Sequence, residues 1–252
     1  MIDGNVVRLI NRENWVEIDL VGARIKRLVL DNKIVLSSFT RIDGKVGSTH
    51  PCTPNFDKDK RGVGTQLPQH GPARNEVWEK LEERSNKLRL GYKIDGKLYP
   101  EFLGLEVEQV FLLENNLFTI TTMHVNKGSQ AMPVNFGEHF YFKTLKSGWE
   151  RVMVNGVKIA KKVKITGRVN LKNHNIITGL GVGDINMEIS GLPMATTWAG
   201  CDENKYDQEY VCIEPVEGRR AFGDDPGFFG TKESMIQAGD SRTTIIKLSL
   251  NN

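Results

Sequence analysis

The chain has 252 residues and carries 34 lysines and arginines against 31 aspartates and glutamates, so its formal net charge is only +3. A charge this small and scattered argues against a nucleic-acid partner. Cys52, Cys201 and Cys212 are an odd set without C-x-x-C spacing, which predicts neither a disulfide framework nor a thiolate zinc motif and favours a reducing compartment. The N-terminus has no leader-like pattern and no apolar run reaches about 18 residues, so we expect a soluble cytoplasmic protein without a membrane partner.

Apolar side chains alternate with polar ones along much of the chain, which is the pattern of strands with one buried face. Turn-forming pairs such as Asp95-Gly96 separate successive runs and are typical of hairpins. In chain order, strands are predicted over residues 15–20, 23–30, 33–38, 77–85, 87–94, 106–113, 117–125, 157–165, 186–190, 195–198, 210–214 and 243–250. No long stretch has convincing helical periodicity. We therefore expect an all-β antiparallel fold forming one domain, residues 1–252.

Two longer segments lack a strand pattern. Residues 44–75 are rich in proline and charge, and a loop of this length inside a compact domain is usually functional or disordered. Residues 217–231 combine glycines with paired aromatics, which predicts a lid or an ordered surface loop.

Two histidines lie in unusual sequence surroundings. His70 lies between two prolines in LPQHGPARN, whose fixed φ angles predict a pre-shaped turn suited to holding a polyhydroxylated or anionic ligand. The alternative is a loop histidine that stabilises its own turn. His139 lies in the aromatic run VNFGEHFYF, where the alternative is a core-edge imidazole bonded to a backbone carbonyl.

Glu214 ends a predicted strand in YVCIEPVEG, and the alternative is a salt bridge to Arg219 or Arg220. Together with His70 and His139 it supplies two imidazoles and a carboxylate on a β scaffold. Opening a cyclic hemiacetal needs a base for the anomeric hydroxyl and an acid for the ring oxygen, and no metal or nucleotide. A shielded carboxylate suits the first role and an imidazole the second.

At this point the sequence resembles the galactose-mutarotase-like aldose 1-epimerases, including the branch of glucose-6-phosphate 1-epimerases and hexose-6-phosphate mutarotases. The resemblance rests on QHGPARNEVW (69–78), PVNFGEHFYF (133–142) and VCIEP (211–215), in that order. It implies a large antiparallel β-sandwich, the galactose mutarotase-like supersandwich, that binds sugar across a concave sheet face. It implies that no cofactor is needed.

Carried over by position, the resemblance implies that Glu214 is the general base, His139 the general acid and His70 the histidine that positions the substrate. Arg74 would grip a hydroxyl or a phosphate, for which its planar guanidinium is suited. Further substrate contacts are expected from other residues of the motifs and loops: Gln69, Asn75, His50 and Trp198. For Trp198 the alternative is a core aromatic of a strand; His124 and His174 are expected to be structural or exposed.

Sugar-phosphate members of that branch usually have an Arg-Gly-Gly-x-Pro segment, whereas this chain reads KVGSTHPCTPNFDKD without the arginine. Substitute phosphate partners would be Lys45, Lys58, Lys60 or Arg61; the alternative for each is a solvated loop charge.

The expected function is an aldose 1-epimerase, or mutarotase, acting on a hexose or hexose phosphate. A non-catalytic carbohydrate-binding or regulatory protein on the same fold is the chief alternative, although a pure binder has no need of an acid and a base together. A metal-dependent hydrolase would use His70, His139 and a carboxylate as ligands, but no close-spaced ligand pair such as H-E-x-x-H occurs. The oligomeric state cannot be read from the sequence.

Overall fold

The computed structural model describes residues 5–58, 66–145, 148–164, 167–202, 205–218 and 235–251. In the first half of the chain the strands are β1 Val6–Asn11, β2 Asn14–Asp19, β3 Arg24–Leu30, β4 Lys33–Ser37, β5 Phe39–Thr40, β6 Val46–Gly47, β7 His50–Cys52, β8 Glu79–Arg84, β9 Lys87–Lys93, β10 Leu105–Glu114 and β11 Leu117–Asn126. In the second half the elements are β12 Met132–Pro133, β13 Gly137–Lys143, β14 Met153–Val154, β15 Val157–Lys158, α1 Ala160–Val163, β16 Arg168–Asn170, β17 His174–Thr178, β18 Asp184–Ser190, β19 Met194–Trp198, β20 Cys201–Asp202, β21 Lys205–Tyr206, β22 Tyr210–Val216, β23 Met235–Ile236 and β24 Ser241–Asn251. Short 3-10 helices cover Ala73–Asn75, Pro100–Phe102 and Trp149–Arg151.

Most strands belong to two antiparallel sheets of nine strands each. The first sheet has the order β1-β2-β3-β4-β13-β22-β19-β16, and β7 also pairs with β13. The second has the order β15-β14-β17-β18-β24-β11-β10-β9-β8. The predicted all-β antiparallel fold is confirmed.

One hydrophobic core joins the two sheets. Phe140 and Phe142 enter it from β13 of the first sheet, and Phe111 and Phe118 enter it from β10 and β11 of the second. All four rings are fully buried, and burying each contributes about 1.5–3 kcal/mol. This core fixes the face of β13 opposite to the one that carries His139.

The predicted strand over residues 157–165 is wrong beyond Lys158, because the chain turns into the helical segment Ala160–Val163. Ile159 and Val163 are both buried at a spacing of four residues, which places them on one face of a helical turn. Apolar residues at alternate positions had imitated a strand.

The long segment 44–75 is less irregular than predicted, because it contains β6, β7 and the first 3-10 helix. Its residues 59–65 lie outside the described part of the chain, and so do residues 219–231 of the predicted lid. No helix among the described residues is long and apolar enough to span a membrane.

Candidate active site

Strands β13 and β22 bring two of the sequence motifs side by side in the first sheet. Phe140 of β13 pairs with Ile213 of β22. One position along, His139 therefore lies beside Glu214. Because side chains alternate along a strand, these two point away from the core that Phe140 and Ile213 enter.

A row of polar side chains crosses five neighbouring strands on this face. His139 pairs with His50 of β7, and Glu214 pairs with Thr196 of β19. Thr196 pairs in turn with Arg168 of β16. The row therefore runs from His50 through His139, Glu214 and Thr196 to Arg168, and every member lines the same cavity.

The cavity has a volume of about 620 Å³, which lies within the range of small-molecule sites. Its lining is mostly polar and includes three histidines, three arginines, two lysines and two carboxylates. Aromatic rings come from Phe56, Tyr141 and Trp198. Polar groups around flat rings are the combination that suits a sugar, which has hydroxyls at its edge and C–H bonds on its faces.

One acid–base contact in the cavity joins His139 and Glu214. The distance from His139 Nε2 to Glu214 Oε1 is 3.4 Å, and the residues are 5% and 3% exposed. Burial raises the pKa of Glu214 well above its usual value, and burial together with the neighbouring His50 and His70 lowers the pKa of His139. Burial disfavours a second proton on the imidazole and the loss of the last proton from the carboxyl group, so the pair shares one proton.

The backbone at His70 and Gly71 is left-handed, with φ angles of 62° and 75°. A Cβ atom at residue 71 would lie 1.9 Å from the carbonyl oxygen of Thr53, so glycine is required there. The predicted pre-shaped turn is therefore present, and it directs the His70 imidazole into the cavity.

The hydrogen bonds of His70 identify its tautomer. The Asp57 backbone N–H donates to His70 Nδ1 at 3.1 Å, and Cys52 Sγ lies 3.2 Å from the same nitrogen. Burial and the charge of Arg74 lower the pKa of His70 to about 3, so the ring is neutral at physiological pH. Its proton therefore sits on Nε2, which makes that nitrogen a hydrogen-bond donor.

His50 has the opposite tautomer. Its Nδ1 lies 2.7 Å from the carbonyl oxygen of Ser48 and must donate to it, which leaves Nε2 as an acceptor. Nε2 has no hydrogen-bond partner among the described residues. The His139 ring lies between the rings of His50 and Tyr141, with centroid distances of 4.9 and 4.8 Å, so its orientation is fixed by stacking on both faces.

Positive charge surrounds the cavity. Arg41 lies over the Trp198 ring at 4.8 Å and donates to Asp43 at 2.8 Å. Arg74 and Arg168 also line the cavity, and the buried Nε of Arg74 has no hydrogen-bond partner within the described ranges. The site is therefore electrostatically suited to a ligand with a negative substituent.

Most of the sequence-predicted site residues meet at this cavity. The lining includes the predicted acid, base and positioning residues together with these predicted contacts: Gln69, Arg74, His50 and Trp198. Asn75 does not line it, because its side chain faces Arg24 and accepts a hydrogen bond from that guanidinium at 3.1 Å.

The remaining charged residues and histidines considered in the sequence analysis do not all lie at the cavity. Lys45 and Lys58 line the cavity, whereas Lys60 and Arg61 lie outside the described residues, as do Arg219 and Arg220. His124 is buried beside Thr53 at 2.8 Å, and His174 is exposed, as expected.

Sequence reasoning missed six cavity residues: Arg41, Phe56, Asp57, Tyr141, Arg168 and Thr196. Tyr141 lies two positions after His139, so strand alternation alone would have placed it on the same face. The other five reach the site through loops or long-range strand pairing, for which the sequence has no local signal.

Among the described residues, three side chains bring metal-ligating atoms together. They are His139, Cys212 and Glu214, whose ligand atoms lie within 4.8 Å of one another. His70, considered in the hydrolase alternative, is not part of this group.

Solved structures with the same fold match nearly the whole chain. A galactose mutarotase related enzyme from Lactobacillus acidophilus is 18% identical, has a TM-score of 0.79, and the match covers 98% of this chain and 97% of that one. A galactose mutarotase-like protein from Lactobacillus casei is 16% identical, with a TM-score of 0.79 and coverage of 98% and 100%. A galactose mutarotase-like protein from Clostridium acetobutylicum is 15% identical, with a TM-score of 0.72 and coverage of 98% and 95%. At these identities the similarity establishes the fold.

No curated protein matches the sequence. Residues 6–210 match the family described as aldose 1-epimerase, a range that includes His70 and His139 and ends four residues before Glu214. Since this match spans more than half of the chain, the protein belongs to the aldose 1-epimerase family.

Proposed function

We propose that the protein is an aldose 1-epimerase that interconverts the α and β anomers of a hexose or hexose phosphate. The observation that carries the proposal is the buried contact of 3.4 Å between His139 and Glu214 in a sugar-sized polar cavity. A mutarotase needs an acid and a base close enough to reach two oxygens bonded to the same carbon. Membership of the family supports the same activity.

In the proposed ring opening, the Glu214 carboxylate takes the proton of the anomeric hydroxyl while the His139 imidazolium gives a proton to the ring oxygen. The bond between the anomeric carbon and the ring oxygen breaks, and that carbon becomes an aldehyde. Rotation about the next carbon–carbon bond presents the other face, and ring closure reverses both transfers. The Glu214 carboxyl group gives its proton to the aldehyde oxygen, and the His139 imidazole takes the proton of the hydroxyl that closes the ring.

The proton count relates the burial of both residues to ring opening. Ring opening starts from the tautomer in which the pair consists of a carboxylate and an imidazolium, and with the ring open both groups are neutral. Burial of Glu214 and His139 favours the neutral forms, so once the charged tautomer has formed it favours both proton transfers in the direction of ring opening.

Two further histidines would hold the sugar through complementary hydrogen bonds. His70 offers its Nε2–H to a sugar oxygen, and His50 offers a lone pair on Nε2 to a hydroxyl, as their tautomers require. Trp198 would stack against the C–H bonds of the sugar. Gln69 and Arg74 lie on the same lining and would complete the polar contacts.

A phosphorylated hexose is the finer proposal. Arg41, Arg74 and Arg168 line the cavity, and Lys45 and Lys58 add charge at the same site. Guanidinium groups bind phosphate with two parallel hydrogen bonds, so this set compensates for the missing Arg-Gly-Gly-x-Pro segment. We further propose that residues 1–252 act as one cytoplasmic domain that needs no cofactor.

The test is polarimetry on freshly dissolved α-glucose, α-galactose and α-glucose 6-phosphate, with wild type beside Glu214→Gln. Wild type should accelerate the approach to anomeric equilibrium for at least one sugar, and the amide variant should bind that sugar without accelerating it. Saturable binding with no acceleration by wild type would instead identify a carbohydrate-binding protein without catalysis.

A further inference from the structure

A buried cluster of three different ligand types lies in the first sheet. The ligand atoms of His139, Cys212 and Glu214 are all within 4.8 Å of one another. Cys212 precedes Glu214 by two positions on β22, so both side chains are on the same face of the sheet. Cys212 pairs with Tyr141, which follows His139 by two positions on β13 and shares its face. Strand register therefore brings the three donors together.

The cluster contains polar atoms that lack partners. Glu214 Oε1 and His139 Nδ1 are buried without a hydrogen bond to any described residue. Leaving such an atom unsatisfied is unfavourable, because the atom has lost its hydrogen bonds to water without gaining others. The contact of 3.4 Å between Glu214 Oε1 and His139 Nε2 does not remove this cost, because the carboxylate oxygen is still unpaired by hydrogen-bond geometry. A ligand that coordinates the oxygen would recover it.

The donor set matches one class of ligand. A thiolate, an imidazole nitrogen and a carboxylate oxygen are the three groups that bind Zn²⁺, and three protein ligands leave a fourth position for water. Thiolate and carboxylate together cancel the charge of the ion, which a buried site requires. His139 and Glu214 line the cavity whereas Cys212 is fully buried behind them, so the ion would enter from the cavity.

We propose that His139, Cys212 and Glu214 bind one Zn²⁺ ion and that the bound ion inhibits the enzyme. Binding releases the thiol proton of Cys212 and the proton shared by the other two residues to solvent. The inhibition rests on the proposed function, because it assumes that Glu214 and His139 are the base and the acid. Once both coordinate the ion, neither can exchange a proton with a sugar. The binding itself does not depend on that assumption.

The test uses cobalt as a spectroscopic substitute for zinc on the purified full chain. Wild type should bind one Co²⁺ with a near-ultraviolet thiolate-to-cobalt absorption, and added Zn²⁺ should bleach it. Cys212→Ser should lose that absorption. The matched controls are Cys201→Ser, an exposed cysteine, and Cys52→Ser, a buried cysteine on β7; both should retain it.

A second variant covers the case in which Cys212→Ser fails to fold. Glu214→Gln removes one ligand at nearly constant shape and should weaken Zn²⁺ binding by at least about 100-fold, since even outer-shell partners of a metal are worth 10- to 100-fold. Absence of the absorption in wild type, its persistence in Cys212→Ser, or its loss in Cys52→Ser would overturn the site.

Turnover separates this proposal from the proposed function. Zn²⁺ should inhibit anomer exchange by wild type and Cys201→Ser, whereas folded Cys212→Ser should keep its rate in the presence of zinc. Cobalt binding in a protein without mutarotase activity would refute the proposed function and the inhibition while leaving the metal site standing. Activity that zinc does not affect would refute the inhibition alone.

Discussion

His139 Nε2 and Glu214 Oε1 lie 3.4 Å apart on adjacent strands, and both side chains are almost completely buried. The pairing register of β13 and β22 holds the two side chains next to each other. The other face of each strand packs into the hydrophobic core, which keeps the strands aligned. Both side chains belong to interior strands of the first sheet. Catalysis in this account therefore depends on the two strands staying aligned and on the single proton that the pair shares.

The shared proton predicts a wide pH plateau for turnover. Burial lowers the pKa of His139 and raises that of Glu214. A second proton is added only at a pH well below the ordinary histidine range, and the single proton is lost only well above the ordinary carboxyl range. The pH profile of kcat/KM should thus have a plateau, with one falling limb below the ordinary histidine range and the other above the ordinary carboxyl range. A single ionisation near the ordinary pKa of histidine would contradict the shared proton.

Glu138 should make the free energy of unfolding depend on pH. This carboxyl is fully buried on the core side of β13, where its Oε2 accepts a hydrogen bond from Gln109 at 3.2 Å, and burial raises its pKa from 4.5 to about 8. The folded state holds the proton more tightly, so the stabilisation is complete below pH 4.5 and is lost as the pH rises to about 8.

Between pH 4.5 and about 8, Glu138 should lower the free energy of unfolding by about 1.4 kcal/mol for each pH unit. Glu138→Gln keeps the shape without the titration, so the free energy of unfolding of wild type relative to the variant should fall across this window. Urea unfolding at several pH values measures the difference directly. Parallel curves for the two proteins would show that Glu138 does not titrate with a raised pKa.

The left-handed turn at Gly71 should be needed for activity, because it positions His70. An alanine Cβ would lie 1.9 Å from the Thr53 carbonyl oxygen, in addition to the strain of a φ of 75°. Gly71→Ala should cost about 2–5 kcal/mol, the sum of left-handed strain and overpacking. Displacing the neighbouring His70 by even 1 Å should lower kcat/KM by about 100-fold.

Gly239→Ala is the matched control, because its φ is 81° but nothing lies within 4 Å of the added atom. It should cost only the strain of about 1–2 kcal/mol and leave turnover unchanged. Equal losses of activity in the two variants would show that the tight turn does not position His70.

Arg41 predicts discrimination between charged and neutral sugars. Its guanidinium lies over Trp198 at the cavity, and a charged hydrogen bond to phosphate is worth about 1.5–3 kcal/mol. Arg41→Gln should therefore raise KM for a hexose phosphate by roughly 10- to 150-fold and leave KM for the free hexose nearly unchanged. Arg8→Gln is the control, since Arg8 lies over Trp15 at 4.6 Å but does not line the cavity. A similar change for both sugars would remove Arg41 from phosphate binding.

The sequence predicts the two longest hairpin strands, each of which has one face exposed to solvent. It also predicts β22, whose residues are all buried, and it misses β1 and β17, whose burial alternates. Strands β10 and β11 alternate buried and partly exposed residues along their length, and both were predicted. Strand β13 was not predicted, because all but its last residue are buried and the alternation disappears. A strand covered on both faces reads as a continuous apolar run, without the period that identifies a strand.

The candidate site likewise contains some residues that the sequence reveals and others that it does not. His70, His139 and Glu214 stand out because each ionisable group interrupts a proline-rich or apolar run. Thr196 and Arg168 have no such setting, and they join the site only through the register of three strands distant in the chain. Pairings of this kind depend on the tertiary structure, so local pattern cannot reveal them.

The most direct test of the central claim is anomer exchange measured by NMR at equilibrium, with Glu214→Gln compared with Glu138→Gln. Both are buried carboxylates with a raised pKa, but only Glu214 faces the cavity. We expect wild type and Glu138→Gln to exchange the anomers of the best substrate at similar rates, and Glu214→Gln to be slower by about 10²- to 10⁴-fold. Undiminished exchange by a folded Glu214→Gln would contradict the assignment of Glu214 as the base.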